Sequence, residues 1–192
     1  MKIKKLISAL VLGSMLVGLS GCNITDFSAE NLLRPPKAVG DEAEIEQLIA
    51  KTADSGYTLK YPKNGKFRSA IIMTDLDGND SNEAVAFFRN SAETSSVHML
   101  VMYSKDNSWE IVSDNIFETT DIDSVDFADL TGNGKAEIIV NSTTYTPNVG
   151  KLSCYSYSEG KTTEVGSGQS CSSFVTGDFD NDGTSEIGRA HV

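Results

Sequence analysis

Three cysteines, two histidines and one tryptophan among 192 residues leave several chemistries without material. A disulfide-dense secreted scaffold needs far more cysteine, and no Cys/His spacing suits a zinc site. Basic residues are scarce too. Lys and Arg total 16 against 27 Asp and Glu, a net charge of -11. Phosphate binding needs a field of Lys and Arg, so this balance excludes nucleic acid as a partner. It suits cations and solubility instead. No uncharged apolar run reaches the about 20 residues that a membrane-spanning helix needs. No Gly-rich phosphate loop is present, and no Ser/His/Asp set assembles. The chain is nevertheless 39% hydrophobic, too apolar for disorder. Its length allows one ordinary domain or part of a repetitive one.

The first 21 residues read as an export signal. Lys2, Lys4 and Lys5 precede an uncharged apolar stretch of 14 residues, Leu6 to Leu19, which is a secretory h-region in length and flanks. It runs into Leu19-Ser20-Gly21-Cys22, which resembles the lipobox of bacterial lipoproteins. That resemblance implies cleavage before Cys22, a diacylglyceryl group on its thiol, and a mature chain tethered to the membrane of a bacterial envelope, facing outside the cytoplasm. Each buried methylene of such a chain adds about 0.8 kcal/mol of anchoring.

Residues 22–40 then read as a flexible tether, with Arg34-Pro35-Pro36 and no helical or strand periodicity. A short helix is predicted over 41–56, with Asp41 as N-cap and Glu44 completing a capping box. Ile45, Leu48 and Ile49 form its apolar stripe, its acidic residues a solvated face, and Ser55-Gly56 its end.

From Tyr57 onward the texture changes to short β-rich runs broken by Asp, Asn and Gly. Three segments align without gaps: Asp75-Leu-Asp-Gly-Asn-Asp-Ser-Asn-Glu83, Asp129-Leu-Thr-Gly-Asn-Gly-Lys-Ala-Glu137 and Asp178-Phe-Asp-Asn-Asp-Gly-Thr-Ser-Glu186. They begin 54 and 49 residues apart. The unit around the first carries strands near 69–73, 84–89, 97–103 and 109–112. The unit around the second carries them near 124–128, 137–141, 151–157 and 162–165. Four short strands with a period near 50 residues predict the blades of a β-propeller. The fold expected is therefore all-β: a partial propeller of about two blades, units 66–117 and 121–166, and the start of a third, 171–186. Asn64-Gly65 is a hairpin signal between Tyr57–Tyr61 and Lys66–Met73.

The nine-residue loops have the oxygen spacing a hard cation requires. Calcium takes six to eight oxygens at about 2.3–2.6 Å. Side chains at places one, three and five, a backbone carbonyl at place seven and a carboxylate at place nine wrap one ion. Gly or Asp at place four or six allows the sharp turn, often at positive φ. The ligands expected are Asp75, Asp77, Asn79, Ser81 and Glu83 in the first loop, and Asp178, Asp180, Asp182, Thr184 and Glu186 in the third. The second offers Asp129, Asn133 and Glu137, but Thr131 replaces an acid and Lys135 adds a positive charge. Asx turns without metal are the alternative reading of each loop.

Met73-Thr-Asp-Leu-Asp-Gly-Asn, Phe127-Ala-Asp-Leu-Thr-Gly-Asn and Val175-Thr-Gly-Asp-Phe-Asp-Asn-Asp-Gly resemble the FG-GAP/VCBS repeats of integrin-type β-propellers. With the lipobox, the chain is similar to bacterial VCBS-repeat lipoproteins. The resemblance covers Lys66 to Glu186 and implies about seven blades, calcium in the hairpin loops and extracellular binding or adhesion. Asp80 departs from the usual Gly, and Thr131 from the usual acid. The blades here are too few to close a ring. The third unit is expected to stop after its first strand and loop, because Ile187 to Val192 breaks the apolar pattern. That ending reads as a non-native tail encoded by sequencing adapter, with the gene continuing beyond Glu186.

Three functional classes follow. One is a non-catalytic surface module that binds an extracellular protein or glycan. The second is an envelope enzyme whose catalytic residues lie in further blades, and the third a calcium-stabilised spacer. Outside the loops, His98 is expected to pack or hydrogen-bond rather than catalyse. Cys154 and Cys171 are candidates for a disulfide between neighbouring strands. Trp109 and the tyrosines Tyr103, Tyr145, Tyr155 and Tyr157 are expected in the core or on strand faces rather than on a sugar-binding platform.

Overall fold

In the computed structural model, residues 40–54, 56–146 and 149–190 are described. The signal segment, Cys22 and the tether up to residue 39 lie outside them. One helix and eleven strands follow in order: α1 (Asp41–Ala53), β1 (Tyr57–Leu59), β2 (Ile71–Thr74), β3 (Glu83–Asn90), β4 (Val97–Lys105), β5 (Ser108–Phe117), β6 (Ile122–Ala128), β7 (Glu137–Thr143), β8 (Gly150–Ser158), β9 (Lys161–Cys171), β10 (Ser173–Gly177) and β11 (Glu186–Ala190). Among the described residues the fold is all-β apart from α1, and every strand pairing is antiparallel.

The strands form two four-stranded meanders, β2-β3-β4-β5, with β1 also paired to β3 as a fifth strand, and β6-β7-β8-β9, and a β10–β11 hairpin. Period-two alternation of apolar residues drives their packing, because successive side chains leave a strand on opposite faces. On β3, Ala84, Ala86 and Phe88 pack with Ile45, Ile49 and Ala53 of α1. Val85 and Phe87 turn the other way, joining Ile138, Val140, Tyr155 and Tyr157 of the second sheet. On β7, Ile139 faces the opposite side and meets Leu152, Phe174 and Ile187. The layers are therefore serial: helix, first sheet, second sheet, hairpin. Val175 and Phe179, on the last layer, are 60% and 56% exposed.

Several expectations change. The Asn64-Gly65 hairpin does not form. β1 and β2 lie end to end along one edge of β3, with Leu59 opposite Phe88 and Ile71 opposite Ala86. The chain between them crosses to the second sheet, where Asn64 N–H donates to Asp123 O (2.7 Å) and Lys60 and Lys63 pair with Asp121 (2.8 and 3.1 Å). Asp41 is not the N-cap. Gly40 holds that place at φ 62°, without a side-chain cap. Glu44 instead accepts from Trp109 N–H (2.9 Å) and Ser108 Oγ (3.0 Å), clamping α1 to β5 rather than closing its own first turn. β5 and β9 run to Phe117 and Cys171, well past their apolar segments, because edge strands exposed to water carry polar residues. Finally, Glu186–Ala190 does form a strand paired to β10, with Thr176 opposite Ile187. Backbone pairing supplies what the side-chain pattern lacked.

Candidate metal-binding loops

The three Asp-to-Glu segments are the β2–β3, β6–β7 and β10–β11 turns, and they share one backbone geometry. In each, the place-one carboxylate accepts the N–H groups of places five and six. For Asp75 these are Asn79 (3.2 Å) and Asp80 (2.9 Å); for Asp129, Asn133 (3.1 Å) and Gly134 (2.7 Å); for Asp178, Asp182 (3.1 Å) and Gly183 (3.0 Å). The place-nine glutamate reaches back to the place-two N–H at 2.8 Å in all three: Glu83 to Leu76, Glu137 to Leu130 and Glu186 to Phe179. The place-five oxygen takes the place-seven N–H, from Ser81 (2.7 Å), Lys135 (2.8 Å) and Thr184 (2.8 Å).

Places four and six have positive φ in every loop: Gly78 and Asp80 at 73° and 64°, Gly132 and Gly134 at 68° and 80°, Asn181 and Gly183 at 63° and 91°. Gly avoids the Cβ clash of this region, and Asn and Asp tolerate it better than other residues. This explains the Asn, Asp and Gly at these places.

The loops also abut one another. Ala136 N–H of the second donates to Leu76 O of the first (2.9 Å), and Ser185 N–H of the third to Asp129 O of the second (3.1 Å). A Cβ on Gly78 would lie 2.6 Å from Gly134 O.

Oxygens of Asp75, Asp77 and Glu83 lie within 4.8 Å of one another, as do those of Asp178, Asp180, Asp182 and Glu186. Two oxygens bound to one calcium at about 2.4 Å are at most about 4.8 Å apart, a spacing limit that each set meets. Asp77 Oδ1 is buried and has no hydrogen-bond partner, an arrangement that costs free energy unless a ligand completes it. The second loop brings together only two carboxylates, Asp129 and Glu137, beside Thr131 and Asn133.

Electrostatics in the first loop are divided. Burial opposes charge on Asp75, but N–H donors from Asp80, Gly78, Asn79 and Asp77 outweigh it and hold the carboxyl below its usual range. Burial pushes Glu83 up; the Leu76 N–H works against this, while the charges of Asp77 and Asp75 add to it. In the second loop the Gly134 N–H leads the donors that hold Asp129 low.

Elsewhere, His98 is 6% exposed between two carboxylates, with Nδ1 at 2.9 Å from Asp114 and Nε2 at 3.0 Å from Glu93, and its ring stacks on Phe88. Both nitrogens are engaged, as expected of a packed histidine. No motif in the sequence links these three residues; β4–β5 pairing and the turn before β4 bring them together.

The disulfide is not formed. Cys154 and Cys171 are free. Cys171 stands opposite Gly150 and Cys154 opposite Gly166. Four residues of β8 separate the two levels, about 13 Å, against the 4.4–6.8 Å between Cα atoms that a disulfide spans. Trp109, Tyr155 and Tyr157 are core residues, but Tyr145 is 88% exposed and belongs to neither core nor strand.

Fold and loops together define, over the described residues, an all-β arrangement of stacked antiparallel sheets, each carrying one acidic hairpin turn of the same geometry. Comparison of the chain with protein-family models, curated proteins and solved structures gave no match.

Proposed function

We propose that this chain is a non-catalytic, lipid-anchored module of the bacterial cell surface, built of propeller-type blades whose first and third hairpin loops hold calcium and which binds an extracellular ligand. The observation that carries the metal reading is the first loop: three converging carboxylates, one with a buried, unpartnered oxygen. The third loop supports it with four carboxylates on the same backbone geometry. The second, with Thr131 and only two carboxylates, is left to its Asx hydrogen bonds. The two stacked four-stranded meanders, with equivalent turns between the first two strands of each unit, support the blade reading. The Cys22 lipobox supports the anchor.

Calcium here is structural. At a weak extracellular affinity of about 0.1 mM, about 1 mM calcium stabilises each occupied loop by ~1.4 kcal/mol, which raises the melting temperature by about 3–6 °C. The test is calorimetric titration of calcium into the mature chain, with thermal melts. Two sites are expected, with Asp77→Asn removing one and Asp178→Asn/Glu186→Gln the other. No heat and no shift in melting temperature would reject the metal reading and leave all three loops as Asx turns.

A further inference from the structure

The least explained surface of the molecule surrounds Tyr145, in the β7–β8 connection. Single exposed apolar residues are ordinary. Tyr145 differs because it lines a concavity. One hollow, of about 250 Å³, is bounded by Tyr145, Glu118 and Lys151. A second, of about 630 Å³, is lined by Lys63, Asn64, Thr120, Asp123, Thr144 and Val149 among others. Thr120, Thr143 and Thr144 line both, so the two form one divided groove. The larger is within the range of small-ligand sites.

Hydrogen bonds tie the described residues of the groove to one another. Thr119 Oγ1 donates to Thr143 O (2.6 Å), Thr143 Oγ1 to Asp121 O (3.0 Å) and Thr144 Oγ1 to Val149 O (2.7 Å). Deeper in the larger hollow, fully buried Asn141 donates to Asp123 Oδ2 (3.2 Å), and Asn64 to its Oδ1 (2.8 Å). Gly150 is bare where a Cβ would collide with the Asn141 amide. The exposed aromatic therefore stands beside a wall that presents threonine hydroxyls and the Asn64 amide, backed by the buried Asn141.

Charge selects among ligands. Among the described residues Lys63 is the one cation lining the larger hollow; it is paired to Asp121, and Asp123 lines the same hollow. Glu118 and Lys151, one charge of each sign, both line the smaller. An anion finds no uncompensated positive field here, and an apolar peptide finds one aromatic among hydroxyls. A pyranose has the matching chemistry: a C–H face to lie on the tyrosine ring and hydroxyls for the polar wall. Tyrosine suits this role, joining an amphipathic ring to few rotatable bonds.

We propose that the groove flanked by Tyr145 and Thr120 binds a neutral oligosaccharide. This rests on the surface-module reading above and names the class of its ligand.

Titration calorimetry of the mature chain with cellohexaose, mannohexaose and chitohexaose, and with hexagalacturonate as the anionic comparator, tests it. At least one neutral hexasaccharide should bind. Tyr145→Ala should weaken it tenfold or more with an unchanged melting temperature, while Val165→Ser, exposed on β9, should leave it unaltered. Binding of the anion alone, equal binding by the Tyr145 variant, or no binding of any neutral hexasaccharide would overturn the proposal, the last pointing to a protein ligand. Calcium melts on the same samples separate the two readings. A retained calcium response without sugar binding removes only the groove, and sugar binding without a calcium response removes only the metal loops.

Discussion

Replacing Gly78 by Ala tests the contact between the first two loops. Two costs combine at this position. The residue sits at φ 73°, where an L side chain costs about 1–2 kcal/mol. Its Cβ would also lie 2.6 Å from Gly134 O. That oxygen is backbone, within a turn fixed by Asp129 and by the Ala136–Leu76 hydrogen bond, so relief requires the loops to separate. Forcing atoms into a packed site typically costs about 1–3 kcal/mol. Gly134→Ala is the internal control. Its φ is 80°, but its Cβ meets nothing within 4 Å, leaving only the conformational cost. Both substitutions restrict the unfolded chain equally, so that contribution cancels in the difference. Gly78→Ala should thus be less stable than Gly134→Ala by about 1–3 kcal/mol. Urea unfolding of the two variants, compared at unchanged m, measures this directly. Equal stabilities within about 0.5 kcal/mol, in the range of an ordinary surface change, would refute the loop-to-loop packing.

Two further outcomes are expected. Leu76 and Phe179 hold the same place in the first and third loops, yet Leu76 is fully buried and Phe179 is 56% exposed. Leu76→Ala should cost about 2–5 kcal/mol and Phe179→Ala less than about 1 kcal/mol; chemical denaturation giving the reverse order would refute the serial stacking. Burial disfavours a charged His98, but its hydrogen bonds to Asp114 and Glu93 outweigh this and raise its pKa above the ordinary 6.5. The stability this confers is fully present below about pH 6.5 and is lost as pH rises through the raised folded value. His98→Gln should abolish that decline, and an unchanged pH profile in stability measurements would dismiss the ion-paired arrangement.

The sequence by itself determined what is local. Each nine-residue loop carries its own geometry, because an aspartate carboxylate and the N–H groups four and five residues on close a ring, and Gly, Asn or Asp accepts the positive φ this demands. Ile138, Ile139 and Val140 likewise announce a strand without reference to a partner. The α1 stripe of Ile45 and Ile49 was legible for the same reason, since periodicity is a property of a single element.

Only the tertiary structure decided what depends on partners distant in the chain. Glu44 could cap its own helix, but Trp109 N–H, 65 residues away, takes its carboxylate. Asn64-Gly65 has hairpin chemistry, but the free edge of β3 accepts both flanking segments in line. Cys154 and Cys171 share neighbouring strands, yet their register keeps them apart. Tyr145 carries an aromatic ring that could serve a core, yet it lies between β7 and β8 and is left 88% exposed. Turn chemistry acts over a few residues and can be read directly. Register and burial are settled by which surfaces remain to be covered once every element has formed.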